Sequence, residues 1–316
     1  MNKIAVLRFF IVLTLFSSGA VFAQSGITNV LPISSPYGES IAIRNIPYVA
    51  HPAPRQNFDL YLPKNSSSKA LPFIVWIHGG AWTMGIKEWD NVKYLVRHGY
   101  AIASIDYRIA PENRFPTQIQ DCNSALNFIL DHATAYGLNP RQFVVGGASA
   151  GGHLALLLGL ARHEHDFGAD PSLKPLAILD FFGPADMNHL MDDLRAVHSE
   201  KGIALMQDVG TNLLGAQVEQ SPDKARIASP ITYVSAASPP VLILQGGKDN
   251  LVPAAQSRRL HAALDRAGVK NQLIMVDNAG HDGPLFSTPE MESKVIGFLN
   301  KIFAKPAGQT LKTSNQ

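Results

Sequence analysis

Three side chains in this sequence could together cleave an acyl bond. Ser149 stands in Gly147-Ala148-Ser149-Ala150-Gly151, a hydroxyl with a glycine two residues away on either side. A serine hydroxyl attacks a carbonyl only once a base takes its proton, and the base works only if an acid orients it. His281, in Asn278-Ala279-Gly280-His281-Asp282, can be that base, and Asp249, in Gly246-Gly247-Lys248-Asp249, that acid. Asp282 is a poorer partner, because a residue adjacent to the histidine points away from the imidazole it would have to orient. The attack creates a negative oxygen that needs preorganised donors. His78-Gly79-Gly80-Ala81-Trp82 has glycines bare enough for the backbone to approach that oxygen, and Ala150, next after the serine, offers another N–H.

These residues need a scaffold that brings them to one edge. Apolar runs at Pro72 to Ile77, Tyr100 to Ile105, Phe143 to Val145, Leu176 to Phe182 and Pro240 to Leu244 read as buried strands. Gln272 to Val276 reads as another, and Ile41 to Ala50 and Asn57 to Leu62 as early strands, the second alternating as an antiparallel pair would. Helical patterns fall between them at Glu88 to Arg97, Gln118 to Asp131, Pro253 to Ala267 and Met291 to Ala304. Strand–helix alternation predicts an α/β fold with a mostly parallel central sheet and helices on both faces. Right-handed crossovers then gather the loops after the strands along one carboxyl edge. The glycine loop, Ser149, Asp249 and His281 each follow a strand, so all four face that edge. Ala185 to Tyr233 breaks the rhythm with short helical pieces such as Ile203 to Met206 and Leu213-Leu214, and residues 185–233 are expected to form a small cap over the site.

Composition narrows the class. Residues 1–23 pair Lys3 and Arg8 with an apolar middle and end Val21-Phe22-Ala23, the three parts of a cleaved secretory leader. The apolar stretch is shorter than the roughly 20 residues a membrane span needs. Its removal takes away two of the 27 basic residues and none of the 25 acidic ones, so the remainder is formally neutral. Neither nucleic acid nor an anionic membrane is expected as a partner. The lone cysteine, Cys122, shares a helical face with Ile119, Leu126 and Ile129 and is expected to pack as an inert thiol. Residues 24–305 make one domain. Gln24 to Glu39 reads as a polar lead-in, Asn65 to Lys69 as a loop, and 306–316 as a disordered tail. His163-Glu164-His165-Asp166 lacks the ligand spacing of a zinc helix, so neither a metal nor another cofactor is expected. His153 is expected to pack on its helix, and Trp82 to be either pocket wall, touching substrate, or core.

Joined in the order Ser, Asp, His, these motifs resemble the α/β-hydrolase esterases, in particular the hormone-sensitive-lipase-like bacterial esterases and related carbohydrate acetyl and feruloyl esterases. His78-Gly79-Gly80-Ala81 is similar to their H-G-G-G motif, and Asp106-Tyr107-Arg108-Ile109-Ala110-Pro111-Glu112 to their D-Y-R-L-A-P-E motif. The likeness runs from about Asn57 to Phe303 and implies an oxyanion hole of Gly79, Gly80 and Ala150. Two departures stand out: Ala81 replaces the third glycine, and Ala148 the acid before the serine. The resemblance implies a serine carboxylesterase acting on short-chain or carbohydrate-linked esters, and the leader pattern adds the expectation that it is secreted or periplasmic. Amide-cleaving hydrolases, such as peptidases and arylformamidases, use the same three side chains, and a non-catalytic binding module can occupy the same fold.

Overall fold

The computed structural model describes residues 30–35, 38–64, 70–89 and 92–304. The expected leader, the 65–69 loop and the 306–316 tail lie outside these residues. Nine strands form one sheet among them: β1 (Val30–Ser35), β2 (Gly38–Pro47), β3 (Asn57–Pro63), β4 (Leu71–Ile77), β5 (Ala101–Ile105), β6 (Leu138–Ala148), β7 (Ile178–Phe181), β8 (Val241–Gly246) and β9 (Asn271–Val276). Their order across the sheet is β1-β2-β3-β5-β4-β6-β7-β8-β9. Pairings from β1 through β3 to β5 are antiparallel, and every pairing from β5 to β9 is parallel.

The apolar run of β4 shows why the sheet is covered twice. Phe73, Val75 and Ile77 enter one core, with Ile119, Cys122 and Leu126 of α1 (Thr117–Asp131) and Leu154 and Leu157 of α2 (Ala150–Leu160). Ile74 and Trp76 enter the other, with Val295 and Leu299 of α7 (Pro289–Phe303). Side chains alternate across a strand, so a strand covered on both faces has no polar position to spare. Cys122 is fully buried, and burial pushes its thiol well above the ordinary range. This is the α/β-hydrolase fold. Strands β5 and β6 flank β4 on opposite sides, so the strand order reverses there and the crevice opens at the carboxyl ends of β4 and β6.

Between β7 and β8 the chain forms α3 (Met187–Ala196), α4 (Glu200–Leu214) and α5 (Pro222–Ile227); α6 (Ala254–Arg266) follows β8. The two short pieces expected at Ile203 to Met206 and Leu213-Leu214 are one 15-residue helix, α4. Ser199 starts it by accepting from the Gly202 N–H, and Gly215 ends it in the left-handed region. Gly202 and Gly210 hide the helical pattern, and they are contact points: a Cβ on Gly202 would lie 2.4 Å from the Asn250 carbonyl.

Two other expectations need correcting. The supposed polar lead-in holds strand β1 and the start of β2. Pro32 and the serines disguise it, but β1 is at the sheet edge, the position in a sheet where proline is tolerated. The helix expected over Glu88 to Arg97 is a 3₁₀ turn at Lys93–His98, closed by Gly99 in the left-handed region. Lys87, ahead of that turn, is buried and donates to Asn45 Oδ1 at 2.8 Å.

Candidate active site

Ser149 takes φ 56° and ψ −121° between β6 and α2, a conformation that costs a non-glycine residue energy. Packing enforces it. The Ser149 N–H donates to the Phe181 carbonyl at 2.8 Å. A Cβ on Gly151 would lie 2.0 Å from the Ile77 carbonyl, and one on Gly147 would lie 2.4 Å from Gly151 backbone. Only glycines let α2 press this closely on β4 and β6. The bent turn aims the Ser149 hydroxyl into the crevice over the start of α2, where helix N–H groups favour negative charge.

His281 Nε2 lies 2.8 Å from Ser149 Oγ, and His281 Nδ1 lies 2.8 Å from Asp249 Oδ2. The Asp249 carboxylate is sealed from solvent, whereas the His281 ring keeps a small exposed edge. Phe182, itself at φ 45°, sets its ring edge-on to His281 with centroids 5.0 Å apart. Asp249 Oδ1 accepts from the Leu251 and Val252 N–H groups at 2.9 and 2.8 Å. The three side chains therefore make a hydroxyl–imidazole–carboxylate chain able to deprotonate the serine and steady an imidazolium. Asp282 lines the cavity but is not the carboxylate that His281 Nδ1 meets.

Gly79, Gly80 and Ala150 line the same cavity as Ser149 and His281. Gly80 has φ +112°, and a Cβ there would lie 2.2 Å from the Met84 carbonyl, so the loop tolerates no side chain at this position. Ala81 and Trp82 also have positive φ, 52° and 60°. Ala81 thus replaces a glycine at a position where glycine would be at ease. Trp82 is almost wholly buried and also lines the cavity, so it is packed in the core with one edge at the cavity wall. Its Nε1–H donates to His153 Nδ1 at 3.2 Å, and His153 Nε2 donates to the Ala228 carbonyl at 2.6 Å. His153 is thus a buried tie between the glycine loop, α2 and the segment after α5.

The glycine loop is anchored from behind. His78 Nδ1 lies 2.6 Å from its neighbour's carbonyl at Gly79, Nε2 lies 2.8 Å from Asp106 Oδ1, and the ring stacks on Tyr107 at 4.4 Å. Arg55 donates to Asp106 Oδ1 at 2.6 Å, to the Gly85 carbonyl at 2.5 Å and to the Tyr107 carbonyl at 2.9 Å. Arg108 grips Asp121 with Nε and Nη2 at 2.9 and 2.8 Å. The Asp106-Tyr107-Arg108 motif therefore fastens the loop after β5 to the glycine loop and to α1. Arg55 was not foreseen: its partners come from segments far along the chain, and no local pattern announces it.

The cavity measures about 290 Å³, and its walls include Leu205 and Met206 from α4 and Met84 and Trp89 from the loop after β4. Among the described residues, no three His, Cys, Asp or Glu side chains gather as a metal centre would require. No helix there is long and apolar enough to cross a membrane.

Comparison with known proteins places this geometry. The BD-FAE family matches residues 58–264, a stretch that holds Ser149 and Asp249 and ends before His281. Esterase LipC of Mycobacterium tuberculosis is 28% identical over 263 residues, covering 79% of this chain and 63% of the relative. Esterase LipQ of the same organism is 28% identical over 304 residues, covering 90% of this chain and 68% of the relative. The chain thus spans about two-thirds of the length of these curated relatives. A solved structure described as a truncated form of a carbohydrate esterase from gut microbiota superposes with a TM-score of 0.74 at 26% identity, covering 86% of this chain and 98% of that one.

Proposed function

The chain belongs to the BD-FAE family, and on that footing we propose that it is a serine carboxylesterase working through an acyl-enzyme. The carrying observation is the continuous chain from Ser149 Oγ through His281 to Asp249, with both links at 2.8 Å. Ser149 attacks the ester carbonyl while His281 Nε2 takes its proton. Backbone N–H groups of Gly79, Gly80 and Ala150 receive the oxyanion. His281 then protonates the departing alcohol, and water repeats the sequence on the acyl-enzyme. Asp249 holds Nδ1–H toward itself, which leaves Nε2 free to act as base.

Short acyl groups on small or carbohydrate alcohols are the substrates we assign. The modest cavity supports the first half. The likeness to a protein described as a carbohydrate esterase supports the second. Export to the periplasm or beyond, supported by the pattern of residues 1–23, would bring the enzyme to such esters. The test is hydrolysis of p-nitrophenyl acetate by purified wild type and Ser149→Ala, with an organophosphonate as active-site label. Wild type should turn over and carry the label on Ser149, and Ser149→Ala should lose about 10⁴-fold or more in kcat. Near-full activity in a clean Ser149→Ala preparation, or labelling elsewhere, would overturn the assignment.

A further inference from the structure

Behind the acid stands a residue that no motif singles out. Gln245, buried at the end of β8, points its Nε2 at three acceptors: the Gly246 carbonyl at 3.1 Å, Asp249 Oδ2 at 3.2 Å and the Val252 carbonyl at 3.1 Å. Its Oε1 accepts from the buried Ser257 hydroxyl of α6 at 2.7 Å. An amide turned the other way would set its oxygen against three oxygens, so the orientation is fixed by chemistry. Asp249 Oδ2 thereby receives two donors, His281 Nδ1 and Gln245 Nε2, while Oδ1 receives the Leu251 and Val252 N–H groups. Without Gln245, Oδ2 keeps His281 Nδ1 as its one side-chain donor and loses its second in a dry interior, so the carboxylate can pivot about its Oδ1 bonds and turn Oδ2 from the imidazole.

We propose that Gln245, locked by Ser257, is a positioning residue for the reaction: its amide N–H holds the Asp249 carboxylate in the rotamer that orients His281. The inference rests on the serine-esterase assignment above. Gln245 touches no substrate, so its loss should act on turnover and leave substrate binding alone.

Three purified variants, checked for fold by circular dichroism, test it on p-nitrophenyl acetate. Gln245→Met keeps length and removes the donor; kcat should fall about tenfold or more with KM within twofold. Gln245→Glu keeps a donor, because two carboxyls this close cannot both ionise and the new one retains a proton to give to Asp249. It should recover most of the activity that the Met variant loses at neutral pH. Ser149→Ala runs alongside. Wild-type kcat in Gln245→Met overturns the proposal, as does a Gln245→Glu variant as impaired as the Met one. Activity surviving in Ser149→Ala would instead condemn the underlying esterase assignment.

Discussion

The indole N–H of Trp82 donates to His153 Nδ1 at 3.2 Å, which makes that nitrogen an acceptor and fixes a buried imidazole in its neutral form. The other nitrogen spends its proton on the Ala228 carbonyl. Burial pushes His153 down from its ordinary 6.5 to about 4, partly offset by that carbonyl. Between these values the unfolded chain binds a proton that the native protein refuses. Stability from this site is therefore complete above pH 6.5 and is lost as pH falls toward 4.

His153→Gln, which keeps a donor and an acceptor but cannot titrate, isolates this effect. Wild type should lose roughly 3 kcal/mol more than the variant between pH 7 and pH 4, read from urea midpoints at each pH. Parallel curves for the two proteins would show that His153 is not the acid-sensitive group.

Asp180 has the opposite sign. It lies fully buried on β7, with Oδ1 accepting from the Gly183 N–H at 2.9 Å and Oδ2 without a hydrogen-bond partner among the described residues. Burial raises its carboxyl from 3.8 to about 8, against a smaller opposing effect of the Gly183 bond. The native state keeps a proton that the unfolded chain sheds above pH 4, so stability declines from pH 4 up to pH 8 and then levels. Asp180→Asn should run parallel to wild type below pH 4, gain on it by several kcal/mol between pH 4 and pH 8, and run parallel again above that. A constant difference between the two proteins across pH 4–8 would rule this out.

Gly80 tests the oxyanion loop. With φ +112° and the Met84 carbonyl 2.2 Å from any Cβ, Gly80→Ala must displace the loop and with it a donor. Loss of one such donor typically lowers kcat by about 10²–10³. Ester hydrolysis at wild-type kcat by a folded Gly80→Ala protein would show that the oxyanion is held elsewhere.

Much of this site was legible because its parts sit on separate strand ends. Ser149, Asp249 and His281 each follow an apolar run, and the alternation alone turns all three toward one edge. The strands held for the same reason: β4 is buried on both faces, so its sequence is uniformly apolar. What stayed hidden depends on partners distant in sequence. Arg55 binds carbonyls at Gly85 and Tyr107, and Gln245 binds Ser257 and Asp249, contacts that exist only once the loops are assembled. Helix α4 was obscured by Gly202, a residue chosen for close approach to Asn250 rather than for helix propensity.

Acyl length is the last expectation, and it follows from how the segment over the cavity is fastened. Gln256 of α6 accepts from the Ala185 and Asp186 N–H groups at 3.0 and 2.8 Å and donates to Asp193 Oδ2 at 2.6 Å. Arg259 grips Asp193 with two bonds of 2.9 Å. Ser199, at the head of α4, donates to the Asn250 carbonyl at 2.6 Å, one residue past Asp249. These ties hold α3 and the start of α4 to the body of the domain, so Leu205 and Met206 line the cavity as a wall fixed at its base. In a cavity of about 290 Å³, each added methylene should gain only about 1–3 kcal/mol until that wall is reached. We expect kcat/KM to peak among acetyl to butyryl p-nitrophenyl esters and to fall by octanoyl, with no jump when substrate forms droplets. Met206→Ala should move the optimum toward longer chains. A steady rise through octanoyl and beyond, with activation at the oil–water interface, would mean that the wall opens and the enzyme is a lipase.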